Sequence, residues 1–230
     1  VTGYGPYDLS LSGDEPEKRF ERHEALGISH FQQSGTGRIR SYYNYLLVTP
    51  LCGDGLEGLG NRFELGKESA YPGYYSGEFL ESQIRFEVTC TKRVALHRYH
   101  FPEDRIGKLA IDLSSGGLLI DGCSVYPTKA WMEQLAPDEY WGMVQLEGIP
   151  LYFRVRSRSP LGDSGFWKKD GQILSPRPEY TPKKVRKQKE PFGIWFEAAH
   201  PGQTLELYIG FSTRNLDRPG EILKKVNQFG

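Results

Sequence analysis

Cysteine is scarce in this chain. Cys52, Cys90 and Cys123 are the three in 230 residues. An odd count at wide spacing provides neither a disulfide framework nor the ligand spacing of a zinc site. An excess of either charge is also missing, because 29 Lys and Arg balance 29 Asp and Glu. A dedicated nucleic-acid binder carries a basic surplus or stripe, so that class is disfavoured. No apolar run approaches the roughly 18 residues of a membrane helix. No signal-peptide pattern is visible, and the chain begins at Val1 rather than Met. The three unpaired cysteines and the lack of a visible signal peptide incline the reading toward the cytoplasm and leave secretion open. A chain that starts without Met reads equally as a fragment or a processed form.

Catalytic signatures are lacking too. The glycine-rich stretch CGDGLEGLGNRFELG has no following Gly-Lys-Ser/Thr, and no helical pattern opens after it. Asp54 and Glu57 do not fit an EF-hand loop. The stretch reads as a plain flexible loop. Among His23, His30, His97, His100 and His200 there is no H-E-x-x-H spacing. No G-x-S-x-G elbow occurs. Carboxylates are plentiful, yet none pairs as acid and base from sequence alone. His97, within a strand-like run beside Arg98, reads as a hydrogen-bonded core histidine.

What is abundant points to strands. Aromatics make up 13% of the chain, and there are 27 glycines. That balance suits an all-β protein with glycine turns. Tyrosine faces can also stack on a pyranose ring, although strand packing accounts for most of them. Alternation recurs along the chain. Ile84, Phe86, Val88 and Cys90 share one face of IRFEVTC, and Ala95, His97, Tyr99 and Phe101 share one face of VALHRYHF. Leu151, Phe153 and Val155 do so in LYFRVRSR, as do Leu205, Leu207, Ile209 and Phe211 in TLELYIGF. KLAIDL from Lys108 and GIWFEA around Trp195 read alike. Asp121-Gly122 and Asp170-Gly171 are hairpin signals. Many strands without interleaved helices predict a large antiparallel β-sandwich, each sheet burying one face against the other. Two segments stand apart. Residues 175–191 are rich in proline and lysine and read as a solvated loop rather than an anion patch. The tail from Pro219 switches to helical spacing at Ile222, Leu223 and Val226, which predicts a short helix or linker.

Four stretches resemble one family in the same order. ALGISHFQQSGTG is similar to the G-F-S-H-x-H-x-S-G-T-G segment of glycoside hydrolase family 92, the calcium-dependent exo-α-mannosidases. ESAYPGYYSGEF resembles that family's E-x-A-x-P-G-Y-Y-x-V segment. FEVTCTKRVALHRYHFP resembles its E-x-T-x-T-x-R-x-x-x-H-R-Y-x-F-P segment. LELYIGFSTRNLDRPGEI resembles the strand before its interdomain linker. The resemblance implies a supersandwich of the galactose mutarotase type over residues 1–215. Residues 216–230 would open the linker to a C-terminal (α/α)6 helical domain. It implies inverting hydrolysis of terminal α-mannosides, with the acid, the base and the Ca2+ ligands mainly on that second domain. No catalytic residue and no metal ligand is therefore expected in this chain, which should be inactive alone. The expected partners are a mannose-containing glycan and the helical domain, with no nucleic acid and no membrane span. His30, Ser34, Gly35, Thr36 and Gly37 are the candidates for a substrate-binding wall. Glycines there let backbone N–H groups approach a sugar, and the hydroxyls can donate or accept. Gln32 replaces the second histidine of the pattern, and Arg38 and Arg40 stand where the family often carries carboxylates. A free-standing carbohydrate-binding module and a structural assembly domain are the rival readings.

Overall fold

The computed structural model describes residues 2–4, 24–30, 45–114, 129–146, 149–168, 172–174, 192–214 and 221. Among them, strands follow in chain order as β1 (Thr2–Tyr4), β2 (Glu24–Ala25), β3 (Gly27–His30), β4 (Tyr45–Cys52), β5 (Phe63–Tyr71), β6 (Tyr74–Phe79), β7 (Ile84–Cys90) and β8 (Val94–His100). Then come β9 (Gly107–Asp112), β10 (Lys129–Ala136), β11 (Glu139–Leu146), β12 (Ile149–Ser157), β13 (Leu161–Lys168), β14 (Gln172–Leu174), β15 (Phe192–Ala198) and β16 (Thr204–Ser212). They form two sheets, of order β1-β3-β4-β9-β15-β13-β14 and β10-β11-β12-β16-β8-β7-β6-β5-β2. Every neighbouring pair is antiparallel. The expected all-β sandwich is the architecture observed.

Alternation explains which face each strand buries. Ile84, Phe86 and Val88 of β7 are buried, while Arg85 and Thr89 are exposed. In β8, Ala95, His97 and Tyr99 are buried, and Leu151, Phe153 and Val155 of β12 and Leu205, Leu207 and Ile209 of β16 enter the same core. These side chains meet Ile28, Val48, Leu109, Ile111, Ile194 and Phe196 from the facing sheet in one continuous cluster. In β7 the expectation fails at one residue. Cys90 lies on the face read as inward, yet it is exposed, because β7 ends there at the open cleft that Cys90 lines with His30.

β9 and β15 are buried almost throughout rather than alternately. Their outer faces carry Ala110 and Trp195, which pack with Trp167, Leu51 and Leu56 in a second cluster. Leu56 belongs to the glycine-rich stretch read as a plain flexible loop. The stretch is a folded cover: Leu59 N–H donates to Leu56 O at 3.2 Å and Asn61 N–H to Gly58 O at 3.0 Å. Lys108, 6% exposed, reaches from β9 to the Gly53 carbonyl and to Glu197 at 3.0 Å, which ties the cover to the sheet.

Gly27 and Gly193 are among the glycines required by close approach. A Cβ on Gly27 would lie 2.4 Å from Val48 O, so β3 can lie against β4 only without one. A Cβ on Gly193 would lie 1.9 Å from Ile111 O and 2.5 Å from Trp167 Nε1.

Several sequence readings fall outside the described residues: His23, Cys123, Asp121-Gly122, Asp170-Gly171 and the 175–191 segment. Lys168 and Gln172, on either side of Asp170-Gly171, are paired across β13 and β14. Of the tail expected to be helical, Glu221 is described and is helical.

Candidate functional site

His30 is the last residue of β3. Its side chain is 2% exposed and points into the sandwich. The ring meets His97 from β8, with Nε2 to Nε2 at 2.8 Å. His30 Nδ1 lies 3.0 Å from Leu46 O, and His97 Nδ1 lies 3.0 Å from the Tyr99 hydroxyl. The Phe211 ring of β16 covers His30 at a centroid distance of 4.9 Å.

The hydrogen positions follow by elimination for neutral rings. A backbone carbonyl only accepts, so His30 Nδ1 carries the hydrogen and donates to Leu46 O. His30 Nε2 is then an acceptor, and His97 donates to it through Nε2–H. His97 Nδ1 is left as an acceptor, and the Tyr99 O–H donates to it. The result is one directed chain, Tyr99 to His97 to His30 to Leu46. Burial, with the neighbouring His30 as a lesser cause, holds His97 well below the ordinary histidine range. Burial pushes the Tyr99 hydroxyl well above its ordinary value. Both groups are neutral near pH 7, and a fully satisfied buried polar chain of this kind rigidifies its surroundings.

Sequence reasoning placed His30 in a ligand wall and His97 in the core. The structure joins them. Both His30 nitrogens face into the fold, so the residue can present ring surface to a ligand but not a ring N–H. Ser34, Gly35, Thr36 and Gly37 lie outside the described residues. Tyr99, as the donor that starts the chain, was missed as a functional partner. Its signal is the H-x-Y spacing of His97 and Tyr99, which puts both on one strand face.

Beside His30 opens a cleft of about 280 Å³. Its buried lining comprises the His30 ring, Val94, Ala95, Phe211 and the polar Ser212. Its exposed rim carries Thr91, Lys92, Arg93, Thr213 and Arg214. The β7–β8 turn is held by Thr91 N–H to Val94 O at 2.8 Å and by Val94 N–H to Thr91 Oγ1 at 3.2 Å. Phe211 N–H donates to Arg93 O at 3.0 Å, which seats the turn on β16. These rim residues were not singled out from sequence. The signal was there, as a Thr-Lys-Arg run after β7 and a Thr-Arg pair after β16.

A separate polar network crosses the outer face of the larger sheet. Glu87 accepts from His100 at 3.1 Å and Tyr74 at 2.8 Å, and Arg98 joins Glu87 to Glu206. The His100 hydrogen bond foremost, with Tyr74 and Arg98, holds Glu87 below the usual carboxylate range against its partial burial. An ionised, cation-paired Glu87 braces β6, β7, β8 and β16 and is a poor proton donor.

Among the described residues, no group of three or more His, Cys, Asp or Glu is placed to hold a metal ion. The described residues therefore do not fit the calcium implied by the family resemblance. No helix among them is long and apolar enough to cross a membrane.

Residues 17–212 match the Glycosyl hydrolase family 92 N-terminal domain. The chain belongs to glycosyl hydrolase family 92. A family GH92 α-mannosidase from Bacteroides thetaiotaomicron superposes with a TM-score of 0.68 at 19% identity, over 90% of this chain and 29% of that one. An inverting mannosidase of the family from B. thetaiotaomicron VPI-5482 gives 0.60 at 14% identity, over 78% and 23%. The GH92 family glycosyl hydrolase ccman5 gives 0.63 at 18% identity, over 84% and 26%. At these identities the likeness establishes the shared fold. The family 92 domain described here spans less than a third of the length of each of these relatives. No curated protein matches the chain.

Proposed function

We propose that this domain is the N-terminal part of an exo-acting α-mannosidase that hydrolyses terminal α-mannosides of glycans with inversion. In an inverting enzyme one carboxylic acid protonates the leaving oxygen while a carboxylate activates water on the opposite face of the ring. Both carboxyl groups and the calcium would come from a helical C-terminal domain. The sandwich would supply one wall of the pocket at the domain boundary, where ligand sites commonly form. The observation that carries this reading is the family match over residues 17–212, supported by an α-mannosidase of the same fold solved with mannoimidazole. The ring of His30 and the segment from Ser34 to Gly37 are the proposed wall.

The test compares this chain alone with the protein extended through any coding sequence beyond Gly230. Both are assayed on p-nitrophenyl α-mannoside with calcium and with chelator. Calcium-dependent turnover is expected of the extended protein only. Robust turnover by the chain alone would refute the division of labour, and an extended protein inert toward every α-mannoside would refute the activity.

A sugar-binding module is the second reading, and one surface feature favours it. Tyr71, 60% exposed at the tip of the β5–β6 hairpin, stacks on Tyr74 at 4.7 Å. Saturable mannan binding by the chain, abolished in Tyr71→Ala, would support it.

A further inference from the structure

We propose that His97 and Tyr99 are positioning residues for the substrate wall: their hydrogen-bonded chain, anchored on a strained bulge of β4, fixes the plane of the His30 ring. The inference rests on the mannosidase reading for the substrate. It goes beyond that reading by giving a role to two residues that do not line the cleft.

The bulge is the first observation. His30 pairs with Tyr45 and Ile28 with Val48, so two steps along β3 match three along β4. At the extra residue Leu46 takes φ 52°, in the left-handed region that a side chain disfavours. Lys67 and Gln83 also have positive φ, but both are exposed, whereas Leu46 is buried. Such strain persists only where the surroundings hold it, and it concentrates at functional sites. The second observation is what holds it. A bulge interrupts the ladder of its strand, and here the Leu46 carbonyl accepts from His30 Nδ1–H at 3.0 Å. His97 and Tyr99 of β8 then tie that imidazole to the facing sheet. The third observation is the division of surface. His30, His97 and Tyr99 are all buried, and of the three the His30 ring alone lines the cleft. His97 and Tyr99 therefore act on a ligand there through His30. Apolar side chains would fill the same volume without the desolvation cost of two imidazoles and a hydroxyl. What the polar chain adds is direction. With both nitrogens engaged, the His30 ring can neither rotate about its Cβ–Cγ bond nor exchange its tautomer without breaking both hydrogen bonds. A ring fixed in this way meets a sugar at a set angle, and such pre-organisation strengthens binding.

The experiment measures KM and kcat on p-nitrophenyl α-mannoside for the protein extended through the coding sequence beyond Gly230, well below its melting temperature. A partly unfolded sample lowers the apparent kcat and leaves KM unchanged, so KM separates positioning from stability. Tyr99→Phe removes one hydroxyl and keeps the ring. It should raise KM about threefold, and His97→Leu should raise it about tenfold, with kcat per folded molecule changed by less than about twofold. His97→Gln, whose amide can donate to His30 and accept from Tyr99, should return KM to within about twofold of the wild type. Unchanged KM in Tyr99→Phe would overturn the proposal, and so would a KM for His97→Gln raised about tenfold. Both of these variants keep the test decisive if His97→Leu does not fold. Nitrogen-15 spectra of the imidazoles in this chain give a second readout that needs no turnover. The His30 Nε2 resonance should shift in Tyr99→Phe and His97→Leu and return toward the wild-type position in His97→Gln. A His30 spectrum indifferent to these substitutions would overturn the anchoring. The two readings fail separately: an extended wild type inert toward α-mannosides refutes the mannosidase reading, while the nitrogen-15 comparison still decides whether His97 and Tyr99 set the His30 ring.

Discussion

Acidification from pH 7 to pH 5 should destabilise this domain through His97 by about 2 kcal/mol. The residue is fully buried, and its neutral ring donates to His30 and accepts from Tyr99. Adding a proton puts a hydrogen on Nδ1 and forces the Tyr99 hydroxyl to find another acceptor. Burial is the main reason that the folded-state pKa lies well below the ordinary value. An unfolded histidine titrates near pH 6.5, so the unfolded chain takes up the proton first. Stability is therefore complete above about pH 6.5 and is lost as the pH falls toward the folded-state pKa. For a ring that stays neutral in the fold, the loss approaches about 1.4 kcal/mol per pH unit, which integrates to about 2 kcal/mol by pH 5. In a chain of this size that lowers the melting temperature by roughly 4–8 °C. The assay is urea unfolding between pH 5 and pH 8 for the wild type and His97→Gln. The amide can donate and accept as the ring does, so the variant keeps the connectivity without the titration. The wild type should lose more stability than the variant on acidification, at constant m-value. Parallel pH profiles for the two proteins would refute the reasoning.

Other outcomes follow from the same structure. Nitrogen-15 spectra of the imidazoles at pH 7 should show His97 as the Nε2–H tautomer and His30 as the Nδ1–H tautomer; the reverse pair would contradict the directed chain. Tyr99→Phe should cost about 1–2 kcal/mol in urea unfolding, because His97 Nδ1 loses its donor in a buried site. Lys108→Met should release the glycine-rich cover from Gly53 and Glu197, costing about 1–2 kcal/mol and raising hydrogen exchange across residues 53–62, with Glu197 sufficiently exposed to limit the penalty. Gly193→Ala should cost about 3 kcal/mol or more and reduce soluble yield, since its Cβ would overlap the Ile111 carbonyl.

Strand identity was legible in the sequence wherever one face is wet. Period-two alternation at Ile84-Phe86-Val88 and at Leu151-Phe153-Val155 marks the inward face before any fold is known, because a strand side chain has only two sides. The same reasoning made His97 a core residue. The ordered motifs from residue 24 onward also carried the family resemblance. Three things had no local signal. The continuous burial of β9 and β15 depends on Leu56, which returns over them from a distant turn. The pairing of His30 with His97 spans 67 residues and two sheets, and no spacing rule reaches across a sandwich. The cleft joins residues 91–95 to residues 211–214 because β8 and β16 are neighbours in the sheet. Alternation and motif order depend on local steric and solvation preferences, so the chain carries them residue by residue. Juxtaposition depends on which strands pair, and that is decided only when the two sheets close on a common core.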